Sequence, residues 1–210
     1  MKRVVSVFIC LMLVLTTFSG CSSETSNNVN NEQSNNGSDE QNNNGSDETA
    51  IRDDLVFALT SEPKSLDPSA VNEYTSFTVD YQIYNFLVGQ ESDGTLVPEL
   101  AEDWDISEDG TEVVFYLRKG VKFHNGDEMK AEDVVFSINK AISSPITAGV
   151  TSAMESTEVI NDYTVKLKLK FAFGPIIACM PYANMAIISK RAYEEDPEGF
   201  CRNPVGTGPY

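Results

Sequence analysis

The sequence predicts an α+β fold for residues 51–210, which make up most of the 210-residue chain. Two observations support this class. Short segments alternate apolar and polar residues as strands do, and others repeat apolar residues with the period of an amphipathic helix. The two kinds of segment are mixed without the regular strand–helix–strand order that builds a parallel sheet. The 160 residues from 51 to 210 are enough for one domain with its own core.

The first elements of this part are predicted to be a strand at 54–59, a loop and a helix at 75–88. The loop follows from the prolines at 63 and 68, which interrupt regular structure. The helix follows from four apolar residues that fall on one face of a 3.6-residue period. These four residues are Phe77, Tyr81, Tyr84 and Val88.

A β region is predicted next. A strand at 111–117 begins after the turn dipeptide Asp109-Gly110, and a shorter strand at 121–123 ends at Asn125-Gly126. Residues 156–170 predict a hairpin with its turn at Asn161-Asp162, because apolar residues there alternate strictly with lysines. The acidic segments AEDWD and SEDG are interpreted as solvated turns.

The other helices are predicted from apolar spacing. Ala131–Ile142 has one apolar face and Asp133 near its N-terminus, where a carboxylate favours the helix dipole. A helical segment at 174–182, a strand at 186–188 and a short helix at 190–195 complete the predicted elements.

The N-terminus has the layout of a secretory signal peptide over residues 1–20. Two basic residues open it, and Val4–Leu15 is an uncharged run of 12 residues, shorter than the ~20 apolar residues of a membrane-spanning helix. Small residues then precede Cys21. This order resembles the lipobox of bacterial lipoproteins, although Phe18 stands where an aliphatic residue is usual. The resemblance implies lipidation of Cys21; the alternative is an ordinary secretory signal with an incidental cysteine.

Residues 21–50 are predicted to be a disordered linker. They consist almost entirely of Asn, Ser, Glu, Asp, Gln and Gly, and the segment NNGSDE occurs twice. Such a composition cannot bury enough apolar surface to offset the entropy of ordering the backbone. A flexible tether between a lipid anchor and a domain is the simplest use for it.

The net charge of −17 argues against nucleic acid as a partner, because an acidic surface repels phosphates. The same charge argues against binding to anionic lipid, so the acyl chain would be the contact with the membrane.

Two cysteines, Cys179 and Cys201, lie in the part that is expected to fold. Outside the cytosol they could form one disulfide, and two free thiols are the alternative. His124 is the only histidine, and the sequence has no Cys/His spacing typical of a metal site. We therefore predict neither a metal nor a cofactor.

Four segments together resemble the family 5 solute-binding proteins, the oligopeptide-, dipeptide- and nickel-binding components of ABC importers. The segments are SEPKSLDP at 61–68, LVPELAEDWDISEDGTEVVFYLRKGVKFHNGD at 96–127, AEDVVFSINKA at 131–141 and NPVGTGPY at 203–210. Lys130 stands where the family commonly has a threonine, so the capping hydroxyl of the third segment is missing.

The resemblance implies one lobe of a periplasmic-binding-protein-like class II fold. In such proteins two lobes close on the ligand, and the first lobe consists of two subdomains. Residues 72–188 would be the smaller subdomain, and the chain would return to the main subdomain at GTGPY. Because family members are much longer, we expect this sequence to be an N-terminal fragment or the product of a truncated gene. A second lobe would be missing, so these residues alone should bind ligand weakly.

The resemblance also implies a lipid-anchored protein outside the cell membrane that binds short peptides or another small solute for ABC permease subunits. The residues expected to contact the ligand are Ser61, Glu62, Pro63, Tyr74, Tyr182, Asn184 and Met185. A surface interaction protein without a transport role is the alternative. An enzyme built on His124, Asp127 and Glu128 is disfavoured, because the sequence has no catalytic motif and these residues read as a surface turn.

Overall fold

The computed structural model describes Val56 and residues 58–210. All of them belong to the second of two units into which the chain divides, Asp54–Tyr210. The predicted signal peptide, the lipidation at Cys21, the linker at 21–50 and part of the strand at 54–59 lie outside the described residues. Those residues of 54–59 that are described form no strand.

Helix α1 (Tyr74–Ile83) follows the predicted loop and leads into a small antiparallel hairpin. The hairpin consists of β1 (Val88–Gln90) and β2 (Leu96–Pro98), and Gly89 lies opposite Val97. These elements lie beside the sheet described next, because the backbone of residues 86 and 87 accepts hydrogen bonds from residues 99–101.

The main sheet has four antiparallel strands in the order β3-β4-β6-β5. The strands are β3 (Ala101–Ile106), β4 (Glu112–Leu117), β5 (Met154–Asn161) and β6 (Thr164–Leu169). Strands β5 and β6 form the hairpin that the sequence predicts, and β4 confirms the strand predicted at 111–117. Gly110 has a φ of 68° in the turn before β4, a conformation that suits glycine.

One face of the sheet is buried and the other faces solvent. Val113, Phe115, Val165 and Leu167 are fully buried, as the alternation predicts. On the opposite face, Lys166 pairs with Glu112 at 3.1 Å, and Lys168 pairs with Glu158 at 2.9 Å. The lysines of β6 are therefore paired with carboxylates of the neighbouring strands and do not form a free positive surface.

Helix α2 (Ala131–Ser143) covers the buried face of the sheet and confirms the predicted helix. Its residues Val134, Ile138 and Ala141 belong to the main core. The start of the helix lacks a hydroxyl cap, as Lys130 predicts. Instead, Asp133 accepts a hydrogen bond from the backbone N–H of Lys130 at 3.0 Å, which satisfies one donor near the helix start.

The two edges of the sheet are protected in different ways. At β5, the Asn139 side chain of α2 donates to the carbonyl of Thr157 at 3.2 Å and accepts from its N–H at 2.8 Å. At β3, the residues Glu102, Asp103 and Asp105 are exposed. Side-chain hydrogen bonds therefore cover one edge and negative charge occupies the other.

Three predicted elements are wrong in extent or type. The helix predicted at 75–88 ends at Ile83, because the carbonyls of Gln82 and Ile83 accept hydrogen bonds from Tyr210 and Gly208. The segments at 121–123 and 186–188 form no strand; the first has a single bridge between residues 122 and 128. The backbone of the second bonds to isolated loop partners and not to a neighbouring strand.

The segment AEDWD, interpreted as a turn, lies in strand β3. Its acidic side chains are compatible with a strand because they lie at the solvent-exposed edge of the sheet.

Short helices fill the connections. They are the 3-10 helices Pro145–Thr147, Gly174–Cys179, Ala183–Met185 and Gly199–Cys201, and the α-helices α3 (Ala148–Thr151) and α4 (Lys190–Glu195). Helix α4 agrees with its predicted bounds. A second, smaller core joins the end of α1 to the C-terminal part of the described chain, since Tyr84 and Phe86 pack there with Ile188 and Phe200.

Replacing Asn139 with alanine should lower the free energy of unfolding by about 1–3 kcal/mol, because both backbone groups of Thr157 lose their partner. Chemical denaturation monitored by circular dichroism measures this change. The matched control is Asn203→Ala at an exposed position, which should change stability little. Equal effects of the two substitutions would contradict the role of Asn139.

Candidate functional site

The loop that carries Ser61, Glu62 and Pro63 is fastened to the start of α1. The Ser61 and Thr75 hydroxyls are 3.0 Å apart, within hydrogen-bond distance. Glu73 accepts from the backbone N–H of Lys64 at 2.9 Å and pairs with its ammonium group at 3.0 Å. These hydrogen bonds hold the pKa of the Glu73 carboxyl below its ordinary value. Glu62 remains exposed beside this contact.

The next part of the loop is fastened to α2 by a buried ion pair. The Lys140 ammonium group lies 2.8 and 2.7 Å from the two carboxylate oxygens of Asp67, and it also stacks on the Tyr193 ring. Asp67 additionally accepts from the backbone N–H and the hydroxyl of Ser69. Because both carboxylate oxygens have donors, this buried charge is well compensated.

A second contact comes from the turn at 183–185. The buried Asn184 amide group donates to the carbonyl of Pro68 at 2.7 Å and to that of Val71 at 3.0 Å. The Ser144 hydroxyl donates to the Ser69 carbonyl at 2.8 Å. The loop between Ser61 and α1 is thus held by side chains that lie more than 70 residues further along the chain.

The seven predicted ligand-contact residues fall into two groups. Ser61, Glu62, Tyr74 and Tyr182 are exposed and Pro63 is partly exposed, whereas Asn184 and Met185 are buried. The Asn184 amide group is used by the loop carbonyls, and Met185 belongs to the main core. A ligand could therefore reach the exposed residues directly, whereas Asn184 and Met185 lie inside the fold.

The exposed tyrosines lie along α1 and the adjoining turn. Tyr74 is 85% exposed, Tyr182 is 54% exposed, and Tyr81, which lies two helical turns after Tyr74, is 46% exposed. The Tyr81 hydroxyl donates to the Pro181 carbonyl at 3.1 Å, which joins the helix to the turn that carries Tyr182. We call Tyr74, Tyr81 and Tyr182 the tyrosine surface.

Tyr81 and Tyr84, which the spacing places on one face of the predicted helix, differ in exposure, since Tyr84 is buried and Tyr81 is not. The buried residues of the helix are Thr75, Ser76, Asp80 and Ile83. The seven-residue spacing of Tyr74 and Tyr81, which places both on one helix face, was the available signal for their common exposure.

Two cavities are lined in part by residues of α1. One, of about 360 Å³, is lined by Phe77, Tyr182 and Asn184 together with residues of the 146–150 segment. The other, of about 440 Å³, is lined by Tyr81, Pro181 and Glu99 among others. Burial raises the pKa of the Glu99 carboxyl. The adjacent residues Pro181 and Tyr182 thus line different cavities.

Helix α1 also buries a carboxyl group without a partner. Neither carboxylate oxygen of Asp80 has a hydrogen-bond partner among the described residues, and the residue is fully buried. Burial and, secondarily, the nearby Asp67 charge raise the pKa of Asp80 to about 7. Ionised Asp80 is therefore unfavourable inside the fold.

The described residues do not assemble a catalytic group around His124. Both of its ring nitrogens are within hydrogen-bond distance of the backbone of the glycines at 206 and 208. Asp127 is bonded to Asn125 and paired with Arg191 at 2.9 Å. Within residues 58–210, no group of three or more His, Cys, Asp or Glu side chains could hold a metal ion.

Cys179 and Cys201 are both free thiols, each partly exposed. Of the two alternatives for this pair, the structure therefore has free thiols. Among the helices that the structure describes, none combines the length and apolar character needed to cross a membrane.

Comparisons with known proteins agree with the resemblance seen in the sequence. The family model for bacterial extracellular solute-binding proteins, family 5 Middle, matches residues 95–210. The glutathione-binding protein GsiB of Pectobacterium atrosepticum is 34% identical over 161 residues, which cover 75% of this chain and 31% of that protein. The chain thus spans about a third of the length of the curated relatives it matches.

Solved structures give the same result for the fold. DppA from Helicobacter pylori, in complex with the peptide STSA, is 31% identical with a TM-score of 0.61, over 69% of this chain and 33% of that chain. MoaA from A. tumefaciens R10, in complex with mannopinic acid, is 30% identical with a TM-score of 0.65, over 69% and 31% of the two chains. The predicted α+β, periplasmic-binding-protein-like fold is confirmed.

Asn184→Ala should lower the free energy of unfolding by about 1–3 kcal/mol without any ligand present, because two buried carbonyls lose their donor. The comparison variant is Tyr182→Ala, which removes an exposed ring two residues away and should cost much less. Thermal unfolding of both variants measures the difference. A stability of Asn184→Ala equal to that of the unsubstituted protein would contradict the supporting role of this side chain.

Asp80→Asn should change how stability depends on pH. The unfolded carboxyl releases its proton near its ordinary pKa of 3.8 and the folded one at a pKa of about 7, so the folded state binds more protons between these values. The free energy of unfolding therefore falls as pH rises from about 4 to about 7.

The Asp80→Asn variant should lack this fall and should exceed the unsubstituted protein in stability at pH 8, by up to about 4 kcal/mol. Denaturant titrations at pH 4, 6 and 8 measure it, with Glu108→Gln at an exposed position as the control. Parallel pH profiles for the Asp80→Asn variant and the unsubstituted protein would show that Asp80 is not the group responsible.

Proposed function

Because the chain belongs to the bacterial extracellular solute-binding proteins of family 5, we propose that it captures short peptides outside the cell membrane for an ABC importer. Relatives of this kind are substrate-binding components of transporters and not enzymes. The proposed protein would use no cofactor and would deliver its ligand to permease subunits.

The relatives favour a peptide as the ligand. GsiB is named for glutathione, itself a small peptide, and DppA was solved with the peptide STSA. MoaA was solved with mannopinic acid, so ligand class varies among the neighbours of this fold. Exposed rings and an exposed loop at 61–62 suit a peptide, whose main chain can be held by hydrogen bonds and whose side chains can lie on aromatic surface.

The observation that supports the proposal is that the exposed residues of the loop are held in place by hydrogen bonds from α2 and from the 183–185 turn. Ser61, Glu62 and Pro63 extend from a loop that Lys140 and Asn184 hold in place. A loop that is already ordered loses little entropy when a ligand binds.

The proposed roles follow from exposure. Ser61, Glu62 and Pro63 would contact the main chain of the peptide, and the tyrosine surface would contact its side chains. Asn184 and Met185, predicted as ligand contacts, would instead support the turn that positions Tyr182.

Several parts of the proposal concern residues outside those described. We propose that Cys21 carries a lipid and that residues 22–50 tether the domain to the outer face of the membrane. Among the described residues, we also propose that residues 72–188 form the smaller subdomain of the first lobe.

These 210 residues alone should bind the tetrapeptide Ser-Thr-Ser-Ala and glutathione only at millimolar concentrations. They span about a third of the length of the relatives, and closure on a ligand depends on contacts from both lobes. Isothermal titration calorimetry measures the affinity, and a micromolar dissociation constant would contradict this expectation.

Addition of millimolar tetrapeptide should shift the ring resonances of Tyr74, Tyr81 and Tyr182 in NMR spectra. Tyr182→Ala should reduce the shifts of the two remaining rings several-fold, because aromatic anchors commonly dominate binding. Tyr116→Ala is the matched control, since Tyr116 is also exposed but lies on the outer face of the sheet. If the peptide shifts the ring resonances of Tyr116 in the unsubstituted protein and not those of the tyrosine surface, this location of the site is wrong.

A further inference from the structure

Residues 206–210 lie directly on the last turn of α1. The Gly208 N–H donates to the Ile83 carbonyl at 2.8 Å, and the Tyr210 N–H donates to the Gln82 carbonyl at 3.3 Å. A Cβ atom at Gly206 would lie 2.2 Å from the Ile83 oxygen, and one at Gly208 would lie 2.6 Å from it. Both positions require glycine, because any larger side chain would push this segment away from α1.

His124 fixes the other side of the same segment with three hydrogen bonds. Its backbone N–H donates to the Gly206 carbonyl at 3.0 Å. The Gly206 N–H donates to ring Nδ1 at 3.3 Å, and ring Nε2 lies 2.9 Å from the Gly208 carbonyl. The turn at 123–127 and α1 thus hold the segment between them.

The partners determine which tautomer these contacts need. An N–H group can only donate, so Nδ1 must carry a lone pair toward Gly206. A carbonyl oxygen can only accept, so Nε2 must carry the proton toward Gly208. The neutral Nε2–H tautomer satisfies both contacts, whereas the imidazolium would place a second N–H against that of Gly206.

We propose that His124 is a positioning residue for the tyrosine surface, and that protonation of its ring releases residues 206–210 and loosens the end of α1. The consequence for ligand binding rests on the proposed function. The path is short, since Gly208 bonds to Ile83 and the same helix carries Tyr74 and Tyr81. Thr207 adds a contact to Asn85, the second residue after α1, at 3.0 Å.

The charged groups around the ring come from its own turn and from α4. His124 itself is exposed to solvent. Asp127 and Glu128 follow it in the turn, and Arg191 of α4 pairs with Asp127.

Two other ionisable groups lie near residues 206–210. One is the Tyr210 hydroxyl, within the segment itself. The other is the Glu99 carboxylate, which accepts a hydrogen bond from the Asn85 side chain. The two hydrogen bonds of the ring itself go to backbone groups.

The first test observes the ring directly. Nitrogen-15 NMR of the unsubstituted protein at pH 7.5 should show the Nε2–H tautomer of His124. The Nδ1–H tautomer would overturn the proposal, and this measurement requires no variant to fold.

The second test follows amide hydrogen exchange between pH 7.5 and 5.5, corrected for the intrinsic rate. Protection of the Gly206 N–H should fall several-fold on acidification, and that of the Gly208 N–H, which bonds to the Ile83 carbonyl at the end of α1, should fall with it. The Leu117 N–H, which bonds to Tyr163 at 2.9 Å in the sheet region, is the internal reference and should not change.

Two uncharged variants test the Nδ1 and Nε2 contacts of His124 one at a time. His124→Asn keeps an acceptor near the position of Nδ1, and His124→Gln keeps a donor near that of Nε2. At pH 7.5 His124→Asn should protect the Gly206 N–H better than His124→Gln does, and neither variant should lose protection at pH 5.5. A loss of protection in His124→Asn as large as in the unsubstituted protein would overturn the proposal.

Titration with millimolar Ser-Thr-Ser-Ala distinguishes this proposal from the proposed function. Weaker binding at pH 5.5 in the unsubstituted protein but not in His124→Asn supports positioning by His124. An equal change in both proteins contradicts it. No binding at either pH, with the exchange results as expected, contradicts the peptide-binding function but supports the contact between His124 and α1.

Discussion

The fold depends on satisfying the backbone of a loop that has no regular structure of its own. Residues 67–69 are buried yet form neither helix nor strand, and an unpaired buried carbonyl or N–H costs free energy comparable to a lost hydrogen bond. The Asn184 amide and the Ser144 hydroxyl supply donors to this backbone, and Lys140 compensates the Asp67 charge. These contacts join distant parts of the chain, so the loop holds its shape only when α2 and the 183–185 turn are in place.

The sequence predicted the elements that have a clear apolar periodicity within their own residues. The β5–β6 hairpin, α2 and α4 carry clear periodicity and were found where expected. Failures occurred where tertiary partners decide the backbone. Helix α1 stops because residues from the far end of the described chain take its last carbonyls, and β3 forms despite its acidic sequence because its side chains reach water at the sheet edge. Neither partner is visible in a short window of sequence.

The sequence selects segments for the candidate site, but it does not give the exposure of their single side chains. The resemblance pointed to the loop at 61–63 and the turn at 182–185, and contacts through Asn184 join that turn to the loop that begins at Ser61. It could not distinguish Tyr182, which is exposed, from Met185, which is buried three residues later. Exposure within an irregular turn depends on what packs beneath it, and the sequence carries no period there to read. The spacing of apolar residues in α1 likewise does not give the exposure of Tyr81, since three of the four buried residues of the helix are polar.

The side chains at the two edges of the main sheet oppose the addition of further strands. A strand of another molecule that approached β5 would have to displace the Asn139 side chain from Thr157, and one that approached β3 would bring its backbone against three carboxylates. Both additions cost free energy before any new ladder forms. At these two edges the strands therefore oppose pairing with further copies of the chain, which disfavours growth into a fibrous aggregate.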